Sequence, residues 1–311
     1  MFRRRAVSTS QSSRPAAQRK TAKELFGYRV RRVVGDGAHS RVYEVEDTKS
    51  HTAYALKHVI SEGEKEERYL DQLRAEWRVG KALNHPAIRK LIALEGEGLL
   101  NKLFRTKSSE LGLVMELIDA PPLSEHVNRG TRPSMASCLK IFLDVANGLQ
   151  HMHEKGFVHA DMKPLNILYD EDRRFTKIID LGQAVDIGTQ KIRLQGSPGY
   201  ISPEQAREVK DRLYAPVTER TDVFNFGATM YAILARGLLA PQSQHTADKR
   251  IRVEPDQLGP SQLMSLGDPE IKRDLSDLIA KCLMAEPVGR CSMKQVIQGL
   301  MGLQPAPSLS R

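Results

Sequence analysis

Cysteine is scarce in this chain of 311 residues, and the three cysteines are Cys138, Cys282 and Cys291. They are odd in number, lack CxxC spacing and have no neighbouring histidine pattern, so neither a disulfide framework nor a zinc site is indicated. Intracellular thiols stay reduced in most organisms. The cysteine pattern therefore indicates a protein of a reducing compartment.

Long apolar runs are also missing. No stretch approaches the roughly 20 apolar residues that a membrane-spanning helix needs, and the N-terminus has no apolar segment of the signal-peptide type. We therefore expect a soluble, cytoplasmic protein.

Acidic residues are absent from the first 23 positions, although the chain as a whole carries a formal charge of +9. Seven basic residues precede Glu24, which leaves only +2 for the rest of the chain. They are Arg3, Arg4, Arg5, Arg14, Arg19, Lys20 and Lys23. A folded basic face that follows a nucleic-acid backbone is not supported by this distribution.

Residues 1–24 contain few large apolar side chains, so they cannot bury enough surface to offset the entropy of ordering. We predict a disordered basic arm there. The alternative is a mitochondrial import signal, since the segment is rich in Arg and Ser and poor in acids.

Apolar residues after the arm first follow a strand pattern and then a helix pattern. Five short β-type runs are predicted at residues 28–34, 41–45, 52–59, 91–94 and 111–118, with a charged helix at 61–83 between the third and the fourth. The basic stretch 101–107 is expected to be a hairpin turn. After Pro121 and Pro122, amphipathic helices are predicted at 134–155, 221–236, 269–284 and 292–301. We therefore expect an α+β fold with a five-stranded antiparallel lobe and a mostly helical lobe.

Two features of the β-rich part are suited to phosphate binding. Gly35 and Gly37 lie between two predicted strands, where a glycine turn can approach a phosphate chain and offer backbone N–H groups. Lys57 lies inside the third predicted strand, where an ammonium group needs anionic partners. Glu76, on the inward face of the charged helix, is a candidate carboxylate for it.

The stretch 159–168, HADMKPLNIL, contains the most specific signal, together with Asp180 in the triplet 180–182. Phosphoryl transfer needs a group that accepts the proton of the attacking hydroxyl, oxygen ligands for Mg²⁺, and cations near the transferred group. Asp161 suits the first task and Asn166 with Asp180 the second. Lys57 and Lys163 supply the cations.

With these motifs, the chain resembles the eukaryotic-type protein kinase family from about residue 26 to residue 301. The resemblance implies a kinase domain at 25–302, with the N-lobe at 25–118, the C-lobe at 119–302 and a tail at 303–311. It implies ATP and Mg²⁺ as cofactors and a protein as substrate. Asp161 is then the catalytic base, Lys163 the partner of the γ-phosphate, and Lys57, paired with Glu76, the ligand of the α- and β-phosphates.

The same resemblance assigns the nucleotide and metal sites. The nucleotide would lie against Gly35, Gly37, Val42, Ala55, Lys57, Glu116, Ile118 and Leu168, with Met115 as the gatekeeper. Asn166 and Asp180 would be the metal ligands.

The segment 196–204, GSPGYISPE, resembles the substrate-docking loop of the family. Ser197 belongs to that loop, Glu204 would pair with Arg290, and Asp222 would hold the catalytic loop. Lys163 and the Gly-Ser-Pro-x-Tyr pattern are features of family members that act on Ser or Thr, so we expect such acceptors.

The chain departs from the family pattern at Ala160, where an Arg usually precedes the catalytic Asp. Arg193 occupies the approximate place of the usual phosphorylated Thr. We therefore expect an enzyme that does not require activation-loop phosphorylation.

Four further departures are Ser40 for the third glycine, Gly80 for a large apolar residue one turn after Glu76, Leu181 for Phe, and Ser202 for Ala before Pro203. Gly80 is expected to loosen the helix that carries Glu76. Two alternative functions are a catalytically inactive kinase-fold scaffold and a small-molecule kinase. Retention of the catalytic residues disfavours the first, and the docking loop disfavours the second.

Overall fold

The structure is a computed structural model of the whole chain. It describes residues 24–37, 39–61, 63, 66–96, 109–191, 196–206, 208–210, 213–235 and 273–304. Residues 1–23 of the predicted arm, the predicted turn at 101–107, Arg193 and residues 305–311 of the predicted tail lie outside these ranges.

The N-terminal part is a six-stranded antiparallel sheet in the order β1-β2-β3-β4-β6-β5. The strands are β1 (Glu24–Leu25), β2 (Tyr28–Asp36), β3 (Arg41–Asp47), β4 (Ala53–Ser61), β5 (Leu91–Glu95) and β6 (Ser109–Glu116). Five of them correspond to the predicted runs, and the sixth, β1, was not predicted.

Strand β1 is only two residues long, too short to show an alternating pattern. It pairs with the start of β2 through a tight turn in which Phe26 and Gly27 both have positive φ, 53° and 85°. Glu24, the last residue of the predicted arm, already lies in the sheet.

Helix α1 (Glu67–Gly80) packs against the sheet and buries Leu70, Leu73, Glu76 and Val79. It is shorter than the predicted 61–83, because Ser61 is the last residue of β4 and the helix ends at Gly80. Leu70, Leu73 and Glu76 are spaced by three residues and therefore share one face of the helix. A carboxylate is thus buried among leucines, beside β4.

The C-terminal part is mostly helical. Its helices are α2 (Ser124–Asn128), α3 (Met135–Glu154), α4 (Pro203–Ala206), α5 (Glu219–Ala235), α6 (Arg273–Cys282) and α7 (Met293–Leu303). Ser134 and Ser292 are N-caps whose hydroxyls accept hydrogen bonds from the backbone N–H groups of Ser137 and Gln295. Ser134 and Ser292, which were predicted as the first helical residues, are therefore the N-caps that precede the helices. The predicted helix 269–284 is observed as α6, and residues 269–272 lie outside the described ranges.

Three short pairs of antiparallel strands lie between these helices. Strand β7 (Phe157–Val158) pairs with β10 (Val185–Asp186), β8 (Ile167–Asp170) with β9 (Phe175–Ile178), and β11 (Glu208–Lys210) with β12 (Leu213–Tyr214). The turn Pro164–Asn166 leads into β8.

The apolar side chains form several clusters, with one main cluster in each lobe. Leucine and valine side chains from β4, β6 and α1 pack together in the N-lobe, and α3, α5, α6 and α7 share a larger core around Phe142 and Phe226. The α+β, two-lobed architecture expected from the sequence is therefore observed. Within the described residues, no helix has the length and apolar character needed to cross a membrane.

Candidate active site

Lys57 lies on β4 and extends toward α1. Its Nζ donates to Glu76 Oε2 at 2.8 Å and to Asp180 Oδ1 at 3.4 Å. Glu76 reaches it because the buried face of α1 lies against β4, and Asp180 belongs to the segment that follows β9. Residues from three distant parts of the chain therefore form one cluster of a cation and two carboxylates.

The three charged groups change each other's pKa values. Burial by itself would lower the pKa of Lys57, but the carboxylates of Glu76 and Asp180 outweigh it and raise that pKa. Burial raises the pKa of Glu76, with the nearby Asp180 charge acting in the same direction. Asp180 has a lowered pKa, since the Lys57 ammonium and the Gly182 N–H outweigh its burial. The cluster has a net negative charge when both carboxylates are ionised, so it can accept a further cation.

Asp161, Lys163 and Ser197 form a second polar group. Asp161 Oδ2 accepts from Lys163 Nζ at 2.8 Å, and Asp161 Oδ1 accepts from the Ser197 hydroxyl at 3.0 Å. Lys163 Nζ lies 2.5 Å from Ser197 Oγ, which closes the triangle. The docking segment is thus joined directly to the residue predicted as catalytic base.

The backbone around Asp161 is held by Asp222, a fully buried carboxylate on α5. Its two oxygens accept from the backbone N–H groups of His159 and Ala160, both at 2.8 Å, and one oxygen also lies 2.8 Å from His153 Nε2. Burial would raise the pKa of Asp222, but the hydrogen bond with His153 and the other polar contacts outweigh it and lower that pKa. An ionised Asp222 therefore fixes the direction in which the catalytic loop leaves β7.

Asn166 and Asp180 are brought together by the backbone. Asn166 ends the turn before β8, and its carbonyl accepts from the N–H of Ile179, at 2.9 Å. Its side-chain amide donates to the Asp161 carbonyl at 2.9 Å, which leaves the amide oxygen as the free ligand atom. Asp180 has a φ of 61°, a left-handed conformation uncommon outside glycine, and such strain often accompanies functional sites.

These donor atoms suit Mg²⁺. A carboxylate and an amide oxygen are hard ligands, and Mg²⁺ is usually held by one or two carboxylates together with phosphates and water. Across the part of the chain that the structure describes, no group of three or more His, Cys, Asp or Glu side chains converges on a metal position. The set therefore fits a metal ion that is bound together with a nucleotide.

The glycine-rich turn joins β2 and β3. Gly35 pairs with Val42, and the Gly37 N–H donates to the Ser40 carbonyl at 2.8 Å. The ring of His39 stacks on that of Tyr69 of α1, with centroids 3.8 Å apart. The turn is thereby placed next to α1, above a cavity of about 240 Å³ that Lys57 and Asp180 also line.

The predicted adenine contacts lie where the two lobes connect. Val42 and Ala55 lie on adjacent strands, and Ala55 faces Met115 across β4 and β6. Glu116 is the last residue of β6, and Leu168 is bridged to Pro122 after the connection. Ile118 lies within that connection. The predicted adenine contacts thus lie on neighbouring strands of the sheet and on the segment that joins the lobes, and their role stays a prediction.

Glu204 and Arg290 form a buried two-point ion pair. Both oxygens of Glu204 accept from Arg290, at 2.7 Å each, and the Arg290 side chain is completely buried. Further Arg290 donors bond to the carbonyls of Met284, Ala285 and Arg220. The pair therefore ties the end of the docking segment to the loop between α6 and α7.

The side chain of Ala160 lies in a small apolar cluster. It is fully buried with Val158 and Val217, and Val185 and Ile187 pack against them. Its φ of 60° is left-handed, and its carbonyl accepts from Gln205 Nε2 at 2.8 Å. Valine side chains therefore surround position 160, where the family pattern has an Arg.

Sequence reasoning missed two contacts between α1 and the segment after Asp180. Both guanidinium nitrogens of Arg78 donate to the carboxylate of Asp186, at 3.1 and 2.8 Å. Gln72 Nε2 donates to the Gly182 carbonyl at 3.0 Å. These partners are more than a hundred residues apart in sequence, so no local pattern could indicate them.

Gly80, which was expected to loosen α1, is closely packed against Leu91. A Cβ atom at this position would lie 2.6 Å from Leu91 Cγ and 3.4 Å from Leu181 Cδ1. The side chain of Leu91 thus fills the space next to Gly80, and no void is left there. The expectation of a looser α1 therefore gains no support from the packing.

Sequence reasoning also missed Arg89, a partly buried cation whose guanidinium Nε is enclosed. Its NH1 group donates to the sulfur of Met115 at 3.5 Å, while its Nε is buried without a partner among the described residues. Burial lowers its pKa. A basic residue next to a strand gave no signal that it would be buried here.

The chain was also compared with known proteins. A family model described as "Protein kinase domain" matches residues 28–300. Serine/threonine-protein kinase PknA of Mycobacterium tuberculosis H37Rv is 30% identical over 269 residues, which are 85% of this chain and 58% of that protein. The probable serine/threonine-protein kinase SCO3848 of Streptomyces coelicolor is 26% identical over 84% of this chain and 37% of its own length.

A plant relative is similar to the same degree. LysM domain receptor-like kinase 10 of Oryza sativa is 31% identical over 303 residues, 89% of this chain and 46% of that protein. The chain thus spans 58% or less of the length of these three curated relatives. Since the family model covers most of the chain and the two-lobed fold agrees with it, this chain belongs to the protein kinase domain family.

Proposed function

We propose that this protein is a serine/threonine kinase that transfers the γ-phosphate of ATP to hydroxyl groups of protein substrates. The observation that carries the proposal is the triangle of Asp161, Lys163 and Ser197. The Ser197 hydroxyl donates to Asp161 at 3.0 Å, within the range in which a general base can accept a proton. A substrate hydroxyl at the same carboxylate would be oriented in the same way.

In this proposal the cleft residues bind and orient ATP. Lys57, held by Glu76, would contact the α- and β-phosphates, and the turn at Gly35 and Gly37 would cover them. Asn166 and Asp180 would hold Mg²⁺, which would neutralise charge on the phosphates. Val42, Ala55 and Leu168 enclose the adenine, with backbone contacts from Glu116 and Ile118.

The chemical step then depends on position and charge. Asp161 accepts the hydroxyl proton of the substrate as the new bond to phosphorus forms. Lys163, 2.8 Å from Asp161, neutralises charge on the transferred group. Asp222 and Gln205 keep the backbone of Ala160 and Asp161 fixed, so the carboxylate needs little reorganisation.

We further propose that the active arrangement does not require a phosphate on the activation segment. Ala160, buried with Val158 and Val217, supplies no cation at the position where the family pattern has an Arg. Instead, Arg78 and Gln72 connect α1 with Asp186 and Gly182, and this supports the position of Glu76 next to Lys57. The hydroxyl of Thr189 is occupied in a hydrogen bond with the Asp186 carbonyl, at 2.6 Å.

The first test compares the parent with Asp161→Asn after incubation with Mg²⁺ and ATP. Phosphate mapped on Ser or Thr, and lost by a factor of about 10² or more in the variant, is the expected result. Thermal unfolding of both proteins shows whether the variant is folded. Equal phosphorylation by the two proteins would contradict the proposed role of Asp161.

The second test addresses activation. Phosphatase treatment and Thr189→Val should each leave the activity within about twofold, since the contacts of the site among the described residues form without a phosphate. If both treatments abolish activity, phosphorylation of the activation segment is required and this part of the proposal is wrong.

A further inference from the structure

Two of the three cysteines lie next to each other in the C-lobe. Cys282, the last residue of α6, and Cys291, the residue before the N-cap of α7, have their Sγ atoms 3.6 Å apart. A disulfide needs about 2.05 Å between the sulfurs. A movement of roughly 1.5 Å would therefore join them.

The two thiols differ in their surroundings. Cys282 is fully buried, whereas Cys291 is partly exposed and lines a groove of about 470 Å³ between α6 and α7. The contact with Cys282 lowers the pKa of Cys291, and the charges of Arg220 and Lys281 act in the same direction. The same contact and burial raise the pKa of Cys282. Cys291 is thus the thiol that can both ionise and meet an oxidant from solution.

We propose that Cys282 and Cys291 form a redox-sensitive pair that closes into an intrachain disulfide on reaction with hydrogen peroxide. The Cys291 thiolate attacks a peroxide oxygen, the O–O bond breaks, and hydroxide leaves while the sulfur becomes a sulfenic acid. The Cys282 sulfur then forms the S–S bond as the S–O bond breaks, and the second hydroxide takes up its proton. In total, two thiols and one peroxide give one disulfide and two waters.

The location of the pair gives the disulfide a consequence. A Cβ atom on Gly227 of α5 would lie 2.6 Å from the Cys282 Cβ, so Cys282 is packed tightly against that helix. Most of the movement must therefore come from Cys291. Its neighbour Arg290 holds Glu204 by two hydrogen bonds, so closure should displace the anchor of the docking segment.

The experiment uses the full chain treated with hydrogen peroxide, alkylated, and digested with trypsin without reduction. Trypsin cuts after Lys281, Arg290 and Lys294, so the two cysteines fall in separate peptides, 282–290 and 291–294. The expected product is these two peptides linked with the loss of two hydrogens, and dithiothreitol should separate them. Cys138, buried elsewhere in α3, should be recovered as an alkylated thiol.

Met284, 46% exposed, indicates in the same digest whether the peroxide has acted. The proposal is overturned if Met284 is oxidised while both thiols are recovered unchanged, or if Cys291 proceeds to a sulfinic acid with Cys282 still free. A link that joins two chains instead of the two peptides of one chain also overturns it.

The second arm measures kinase activity and rests on the proposed function. Oxidised parent protein should lose activity several-fold and regain it with dithiothreitol, while Cys291→Ser should not respond. If the disulfide forms and activity is unchanged, the link to Arg290 is wrong. If the reduced parent is itself inactive, the proposed function fails, and the peptide mapping still decides the disulfide.

Discussion

The cleft and the anchor of the docking segment each contain a buried ion pair, but the two pairs differ in how completely their charges are matched. Around Lys57, one cation faces two carboxylates, and the Asp180 side chain is 49% exposed to the cleft. Around Arg290, one cation faces one carboxylate, both side chains are at most 5% exposed, and backbone carbonyls accept the remaining donors. The first pair is incomplete without a ligand, whereas the second is complete in itself.

This difference separates an ion pair suited to chemistry from one suited to structure. An unmatched carboxylate at a cleft can bind an incoming cation, and its neighbours must tolerate the change. A fully matched pair has no such capacity, but removal of one partner leaves a charge buried alone. We therefore expect loss of activity from changes at Lys57 and loss of stability from changes at Arg290.

The largest effect is expected for Arg290→Met. It leaves Glu204 buried without its partner, so the free energy of unfolding should fall by about 3–5 kcal/mol. Chemical denaturation measures the change. Arg273→Met is the matched control, since Arg273 is 79% exposed and its loss should change stability by less than about 1 kcal/mol. Equal effects of the two substitutions would remove the distinction between the pairs.

Lys57→Met should act on the reaction. Removal of a single positioned charge from a site of this kind lowers the rate by about 10² to 10³. Steady-state kinetics with ATP and a peptide substrate would measure it. The surface variant Lys140→Met, which breaks an exposed pair with Asp144, should retain the parent rate. A Lys57 variant with full activity would contradict the assignment of the cleft.

Gly80→Leu tests the packing beside the cleft pair. The new side chain meets Leu91, and overpacking should destabilise the protein by about 1–3 kcal/mol. Adding Leu91→Ala should relieve the clash, so the double variant should be more stable than the sum of the single changes predicts. Gly302→Leu is the control, because nothing lies within 4 Å of a Cβ atom at that glycine of α7.

The contributions of Glu204 and Glu76 to the stability of the protein should change with pH in opposite directions. Arg290 holds the pKa of Glu204 below its ordinary value of 4.5 despite burial, so its contribution is present above that pH and is lost as the pH falls. Burial raises the pKa of Glu76, so its contribution falls as the pH rises above 4.5.

Unfolding of the parent, Glu76→Gln and Glu204→Gln between acid and neutral pH measures both contributions. The stability difference between parent and variant should grow with pH for Glu204 and shrink for Glu76. A single proton limits either slope to about 1.4 kcal/mol per pH unit. Parallel slopes would show that the two carboxylates are not in different electrostatic environments.

The smallest effect is expected for Arg78→Gln. The Arg78–Asp186 pair is exposed, 49% and 59%, so its loss should lower stability by at most about 1 kcal/mol. Activity should fall no more than about fivefold, the factor that corresponds to that energy. Arg74→Gln breaks a pair with Asp71 inside the same helix and should leave activity unchanged. If both variants behave alike, the bridge does not position α1.

Much of the architecture could be predicted because it depends on short-range patterns. The serine caps at Ser134 and Ser292, the change from strand to helix periodicity after Pro122 and the spacing from Asp161 to Asn166 are all local features. Strand β1 is too short to show a period, so its existence depends on the turn at Phe26 and Gly27.

The parts of the site that could not be predicted join distant segments. Arg78 and Asp186 meet only because β10 pairs with β7 below α1. The proximity of Cys282 and Cys291 likewise depends on the path of the turn between α6 and α7. The charge of these residues and their spacing in the sequence carry no information about such long-range contacts.

The side chain of Leu91 fills the space into which a side chain at position 80 would extend. A larger residue at position 80 fits without a clash only if the residue at position 91 becomes smaller. If position 91 becomes smaller first, a cavity remains until position 80 becomes larger. Each single step toward the more usual family pattern is therefore unfavourable. The effect of a substitution at either position therefore depends on the residue at the other.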